Sequence, residues 1–411
     1  MEQKAAKKPI LSIFITVFID MLGIGIIIPI FAPLIVQNDL GIVSTQYNLA
    51  ERQIIYGFLA ATFSIFQFFG APILGALADR HGRKRVLNFT LVGTFVGYLL
   101  FAGALHMKVL ALIFIARAIP GFMGGNISIA LAALADLSDD KTKAKNFGLI
   151  GMAFGLGFIL GPSIGGLLSK YDYALPLLFT AFLSLINIIL VYIQFPETFK
   201  PKTVRPISLW AGFHNIAKAF SYGNMRVILL VLFLFAFGFT FFTQFFPVFM
   251  IYKFDATKQQ IGYIFGFSGI CMVLTQGVIT RALSGRVTPQ QILKFTIVGL
   301  SISLMLTLLP TSLYWLFSVQ PLIAVCQGLT QPNITSIISS LGTAENQGEI
   351  LGIQASVQSL AFSIPPILAG FMSGVDYRLP VIAGSLSLLI GGLIFIFLFK
   401  PKFHMIKETV V

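Results

Sequence analysis

Two charged side chains fall where charge is costly. Asp20 stands in the middle of the apolar run 10–36, and Arg117 stands inside the apolar run 109–135. A charge at mid-membrane costs about a few kcal/mol on insertion scales, so such a residue is a functional candidate by default. Apolar surroundings favour a neutral carboxyl, and a neighbouring guanidinium favours the carboxylate. A carboxyl held between those influences can take a proton from one side of a membrane and release it to the other. Arg117 admits three roles: tuning Asp20, holding an anionic substrate, or bracing the helices, the last including a buried Asp20–Arg117 ion pair. Other chemistry finds no support. His81, His106, His214 and His404 are scattered without ligand spacing, so no metal is expected. Gly155, Gly157 and Gly161 lie inside an apolar run with no strand before them, and no phosphate-loop motif occurs, so no nucleotide and no other cofactor is expected. Paired carboxylates and nucleophile–base arrangements are also missing from the apolar runs, which argues against an enzyme.

The elements that must position these residues are membrane helices. Of 411 residues, 56% are hydrophobic and only 10% are charged. Soluble domains carry about a quarter charged residues, and a helix needs about 20 apolar residues to cross a bilayer. The sequence predicts twelve spans, at 10–36, 52–78, 86–106, 109–135, 147–169, 174–194, 225–251, 260–285, 290–309, 313–340, 349–373 and 379–399. The net charge of +13 is then a topology signal. With both termini cytoplasmic, twenty-one of the 28 basic residues fall on the cytoplasmic side and six on the other, Arg117 being the one inside a span. That is the positive-inside bias, and no nucleic acid is needed to explain it. The first span is too long for a signal peptide, carries Asp20, and is read as a retained helix. Cys271 and Cys326 both lie within spans, and no disulfide is expected between them.

The spans divide six and six. Residues 1–195 are expected to form one six-helix bundle, 196–224 a cytoplasmic linker, and 225–411 a second bundle with a short tail. Within the linker, Trp210, Phe213, Ala217 and Phe220 follow helical spacing and predict an amphipathic helix on the membrane surface. Three stretches repeat in order at nearly constant offset. Gly121 to Ser128 matches Gly328 to Thr335, Gly148 to Gly166 matches Gly352 to Gly370, and Gly82-Arg83 has a degraded copy in Gly285-Arg286. Internal duplication explains them, and duplicated membrane halves suit alternating access about a shared central site.

Two further patterns carry meaning. The loop after span two reads Gly75-Ala-Leu-Ala-Asp79-Arg80-His-Gly82-Arg83-Lys84. Its glycines permit a tight turn, and its one acidic residue can pair with basic groups or cap a helix N-terminus across the half boundary. Span five holds Gly151, Gly155, Gly157, Gly161, Pro162, Gly165 and Gly166, small residues that let helices approach closely. With Asp20-Met-Leu-Gly23-Ile-Gly25-Ile-Ile-Ile-Pro29 in span one and Arg117-Ala-Ile-Pro-Gly121 in span four, these stretches resemble the major facilitator superfamily, and most of all its drug:proton antiporter branch, which includes the tetracycline efflux proteins. The resemblance covers essentially the whole chain. It implies an all-α fold of two pseudo-symmetric six-helix bundles in a bacterial inner membrane. It also implies that Asp79 and its arginines latch the closed cytoplasmic gate, that Asp20 and Arg117 serve proton coupling, and that Gly157, Gly161, Pro162, Gly165 and Gly166 form the helix motif of exporters. The second-half loop departs from the pattern, with Arg281 near the acidic position and Glu345 and Glu349 before span eleven.

The expected function is proton-coupled efflux of small amphipathic compounds by a monomer. Phenylalanine, with 42 residues, is heavily used, and aromatics lining a cavity favour planar amphipathic compounds over sugars. Gln67, Gln244, Gln327, Gln331, Gln354 and Gln358 lie inside spans as orienting contacts or as interhelical glue. A symporter or facilitator importing a metabolite would keep the same fold and loop motif. A non-transporting scaffold would gain nothing from the cost of Asp20 and Arg117.

Overall fold

The computed structural model describes residues 2–137, 153, 156–157, 160–198, 208, 210–221, 223–283, 286–341 and 347–399. The described residues are helical, with no strand among them. Eleven of their helical segments are long and apolar enough to cross a membrane. The predicted fifth span is described at 153, 156–157 and 160–169, where residues 160–168 are helical. Gly151, Gly155 and Gly285 lie outside the described residues.

In chain order the helices are α1 (Glu2–Ala32), α2 (Leu49–His81), α3 (Arg83–Met107), α4 (Leu110–Met123), α5 (Asn126–Asp136), α6 (160–168), α7 (Leu175–Gln194), α8 (Ala211–Ser221), α9 (Gly223–Phe254), α10 (Lys258–Leu274), α11 (Thr280–Leu283), α12 (Pro289–Leu306), α13 (Leu316–Ser340), α14 (Gln347–Val375) and α15 (Leu379–Leu398). In the first part of the chain α2 packs on α4, α3 on α4 and α7, and α1 on α7. In the second part α15 packs on α9 and α12, and α13 on α10 and α12. Among the described residues the most extensive contact joins α2 to α14.

Local sequence starts these helices. Asn48 accepts from the Glu51 N–H at 3.0 Å while its own N–H donates to the Glu51 carboxylate at 2.7 Å, closing a capping box before α2. Thr257 and Gln260 repeat the device before α10. Spans two and eight hold corresponding places in the two halves, so the boxes are a further echo between them. The predicted amphipathic helix is α8, where Phe213 packs edge-on against Phe68 of α2 and Asn215 donates to Ser356 of α14 at 3.0 Å.

Among the described residues several spans differ from uninterrupted α-helices, span one by ending in a π-turn at Pro33–Gln37. Span eight passes through a wide π-turn at Thr275–Ile279 between α10 and α11. Span four breaks at Gly124–Gly125, between α4 and α5. A break in a membrane helix leaves backbone groups without partners, and something nearby must take them up. Here Gln67 donates to the Gly124 carbonyl at 3.3 Å.

Candidate functional site

The break in span four is what faces Asp20. Asn126 opens α5, and its side chain reaches the Asp20 carboxyl from across the helix gap. The other carboxyl oxygen, Oδ2, is buried and has no hydrogen-bond partner. Asp20 therefore sits where span four is broken, beside the residue that opens α5. Tyr98 of α3 lies against Gly23, one turn from Asp20.

Arg117 is 4% exposed, and no ion pair joins it to Asp20. Its guanidinium lies over Phe63 at 4.7 Å and Phe31 at 5.2 Å, and its Nε and Nη1 have no hydrogen-bond partner. Aromatic faces offset part of the cost of burying the cation. Bracing through a direct Asp20–Arg117 pair is thus not what this geometry provides.

The glycines of span five seat α1 beside Asp20. A Cβ at Gly161 would lie 2.7 Å from the Leu22 carbonyl and 2.8 Å from Gly25, and one at Gly157 would lie 2.7 Å from the Phe18 carbonyl. Gly165 meets Ile26 one turn further on, and Pro162 packs on Gly25. Gly166 instead faces Gly262 of α10, where a Cβ would come within 3.0 Å. One short helix thus packs on the Asp20 helix on one side and on the second half of the chain on the other.

The loop after α2 is tied within its own half. Gly82 takes φ +98°, a left-handed conformation that glycine tolerates best. The Glu197 carboxylate, just past α7, accepts from the backbone N–H groups of Arg83 at 2.9 Å and Lys84 at 3.3 Å, capping α3 from a distance. A Cβ on Gly82 would sit 2.5 Å from that carboxylate. Arg83 pairs with Asp136 at the end of α5 at 2.8 Å, and more loosely with Asp79 at 3.7 Å. Lys84 lies over the Tyr192 ring, Arg80 is exposed, and Gly75 faces open space.

At the opposite end the two halves meet closely. The Tyr56 hydroxyl donates to the Gln244 carbonyl, and Tyr173 donates to the Asp39 carboxylate. The Lys258 ammonium lies 3.7 Å above the Tyr173 ring. Burial and the Asp39 carboxylate hold the Tyr173 hydroxyl protonated, its pKa above the usual phenol range. A Cβ on Gly370 of α14 would be 2.9 Å from the Gln53 carbonyl of α2.

The glutamines divide. Gln67 caps the broken helix, and Gln354 donates to Thr335 at 3.0 Å, joining α14 to α13. Gln244, Gln327, Gln331 and Gln358 are half-buried on α9, α13 and α14. Sequence reasoning left Asn126, Tyr98, Asp136 and Glu197 without a role. Only Asn126 had a signal, the Gly-Gly pair before it.

A family model described as Major Facilitator Superfamily matches residues 13–366 and, in a second match, 228–409, and the chain belongs to that family. It is therefore a multi-pass membrane transporter. It is similar to the class H tetracycline resistance protein of Pasteurella multocida, 28% identical over 98% of each chain. It is also similar to multidrug resistance protein 1 of Bacillus subtilis, 28% identical over 93% of this chain and 94% of that one. Among solved structures, the human organic anion transporter MFSD10 superposes with a TM-score of 0.75 at 22% identity, covering 95% of this chain and 99% of that one. A D-xylose-proton symporter gives 0.74 at 15% identity, covering 96% and 98%, so both share the fold.

Proposed function

We propose that the protein is a proton-coupled exporter of small amphipathic compounds, working by alternating access. Residues 1–195 and 225–411 are the two bundles that rock, and 196–224 link them on the cytoplasmic side. The protein acts as a monomer in a bacterial inner membrane, with both termini cytoplasmic. The observation that carries this reading is the unpartnered Oδ2 of Asp20, buried at the head of α5 inside a membrane-crossing helix. The names of the tetracycline and multidrug resistance relatives support a drug-like substrate.

With the basic loops cytoplasmic, the end sealed by Tyr56, Tyr173 and Lys258 is the outer one, and the conformation is inward-facing. In this state Asp20 releases its proton to the cytoplasm and substrate enters. After the bundles rock, Asp20 takes a proton from outside and substrate leaves. Gly166 and Gly262 lie where the halves must slide, and small residues there keep that sliding surface close and smooth. When the cytoplasmic side closes, Asp79 caps a helix of the opposite half while Arg83 stays braced on Asp136. One proton crossing about 100 mV supplies about 2.3 kcal/mol, enough for a substrate gradient of a few tens-fold.

Proteoliposomes with an imposed pH gradient and a trapped pH-sensitive dye test the reading. A lipophilic cation, a tetracycline-like compound and a sugar are added in turn, to wild type and Asp20→Asn. Proton movement opposite to substrate flux, lost in the variant, is the expected result. Movement in the same direction would make the protein a symporter, and substrate flux indifferent to a protonophore would remove proton coupling.

A further inference from the structure

On the outer face a cavity of about 340 Å³ opens where α3 and α6 end and α10 begins. That volume lies within the range of small-ligand sites, about 300–1,000 Å³. Lys108 follows α3, Lys170 follows α6 and Lys258 opens α10, and all three line the cavity. Only six basic residues of the chain fall on this side, as the positive-inside bias requires. Half of those six stand around one cavity, brought there by three separate stretches of sequence. The acidic groups nearby are engaged by other donors. Asp172, the one acidic residue in the wall, accepts from the Ala174 N–H, and Asp39 accepts from the Tyr173 hydroxyl. Among the described residues, none of the three ammoniums has a carboxylate within ion-pairing distance.

Lys258 lies over the Tyr173 ring and stands in the first turn of α10, where the helix dipole disfavours a cation. Like charges gathered without counter-charges repel one another, and an anion among them removes that cost. We propose that this cavity binds a phosphate-bearing anion, held by Lys108, Lys170 and Lys258. Lysine meets phosphate as a point charge, so the three side chains need no fixed fork geometry to do so. The surroundings favour a lipid headgroup over free phosphate. The lysines stand at the ends of membrane-crossing helices, level with the membrane–water boundary, and Tyr171 in the same wall is exposed, as aromatic side chains of that boundary are. Met107 and Leu167, close in sequence to two of the lysines, are also exposed and offer apolar surface to acyl chains. Lys108 and Lys170 belong to the first half and Lys258 to the second, so a bound headgroup joins the halves at their sealed end. The count of basic residues rests on the orientation proposed above, and the binding itself does not.

Two measurements on the purified full-length protein separate the sources. Native mass spectrometry from neutral detergent micelles compares retention of phosphatidylglycerol and phosphatidylcholine, and calorimetry at fixed ionic strength titrates inorganic phosphate. Wild type is expected to retain phosphatidylglycerol about ten-fold more strongly or better, the range for several lysines facing an anionic headgroup. Lys108→Gln/Lys170→Gln is expected to lose most of that preference. Lys258→Gln is expected to lose part of it, and it carries the test if the double variant does not fold. Arg52→Gln/Arg378→Gln removes two charges from the same face outside the cavity and is expected to keep the preference. Binding of inorganic phosphate that the lysine variants lose would support the site with a free anion as its ligand. No preference for phosphatidylglycerol together with no phosphate binding would overturn the site, as would a preference undiminished in the lysine variants. An equal loss in the arginine variant would also overturn it, by making the effect a property of the whole face. Neither measurement involves transport, so failure of the site and failure of the export reading are seen separately.

Discussion

Spans four and ten carry the same motif at an offset of 207 residues and fold differently. In the first, Gly121-Phe-Met-Gly124-Gly125-Asn126 breaks the helix, and Asn126 turns toward Asp20. In the second, Gly328-Leu-Thr-Gln331-Pro332-Asn333 stays within α13, and Asn333 donates to the Leu329 carbonyl of its own helix at 2.6 Å. Paired glycines impose little resistance to a break, and Gln67 from α2 takes up the carbonyl that the break frees. Proline in the second copy lacks an N–H and can bend a helix, but α13 continues through it. The same contrast runs through the loops. The turn before α3 is held by Glu197, Asp136 and Arg83 from three parts of the chain, while α12 starts on a local Thr288–Gln291 box. Among the described residues the buried charged side chains, Arg83 and Arg117, and the unpartnered Asp20 carboxyl oxygen all lie in the first half. A duplicated scaffold can diverge in this way while both halves keep the same packing pattern.

Substitutions that cross this division differ in size. Asp20→Asn keeps the shape of the side chain and removes its titration, so coupled transport is expected to fall by about 100-fold or more, the scale of losing a proton-transfer group. Substrate binding should survive, and a variant that still accumulates substrate against a pH gradient would dissolve the proposed asymmetry. Arg83→Ala removes the Arg83–Asp136 pair, which costs about 3 kcal/mol when such a pair is largely buried. Thermal unfolding in detergent should show it. Gly161→Val would press a side chain into the Leu22 carbonyl and Gly25, for a cost of about 2 kcal/mol. Transport should fall more steeply than stability, because the displaced helix is the one that carries Asp20. Thr257→Ala removes a cap worth about 1 kcal/mol. Asn48→Ala at the corresponding first-half position should cost the same, since the two boxes have the same geometry.

Much of this was legible in the sequence because membrane helices announce themselves by length and apolarity, and because charge inside them is rare. The span pattern, the burial of Arg117, the linker helix and the close packing at Gly161 and Gly165 were expected from those rules and from residue size. The partners did not. Glu197 lies more than a hundred residues from the loop it caps, and nothing local marks it. Gln67, read as a cavity residue or as glue, holds the Gly124 carbonyl, a backbone group freed only by a break. Arg117 over Phe31 and Phe63 is a similar case, since ring faces around a cation depend on three helices meeting. Periodicity shows which residues are buried, and long-range pairing decides which polar groups remain unsatisfied.

The most direct test of the account is proton release on substrate binding, measured with purified protein in weakly buffered detergent solution. Addition of a compound found to be transported in the proteoliposome assay to wild type is expected to release about one proton per protein at a pH where Asp20 starts protonated, as exchange at a single carboxyl requires. Asp20→Asn is expected to bind the same compound and release none. Release of the same proton from the Asp20→Asn variant would contradict the assignment and move the coupling site elsewhere in the bundle.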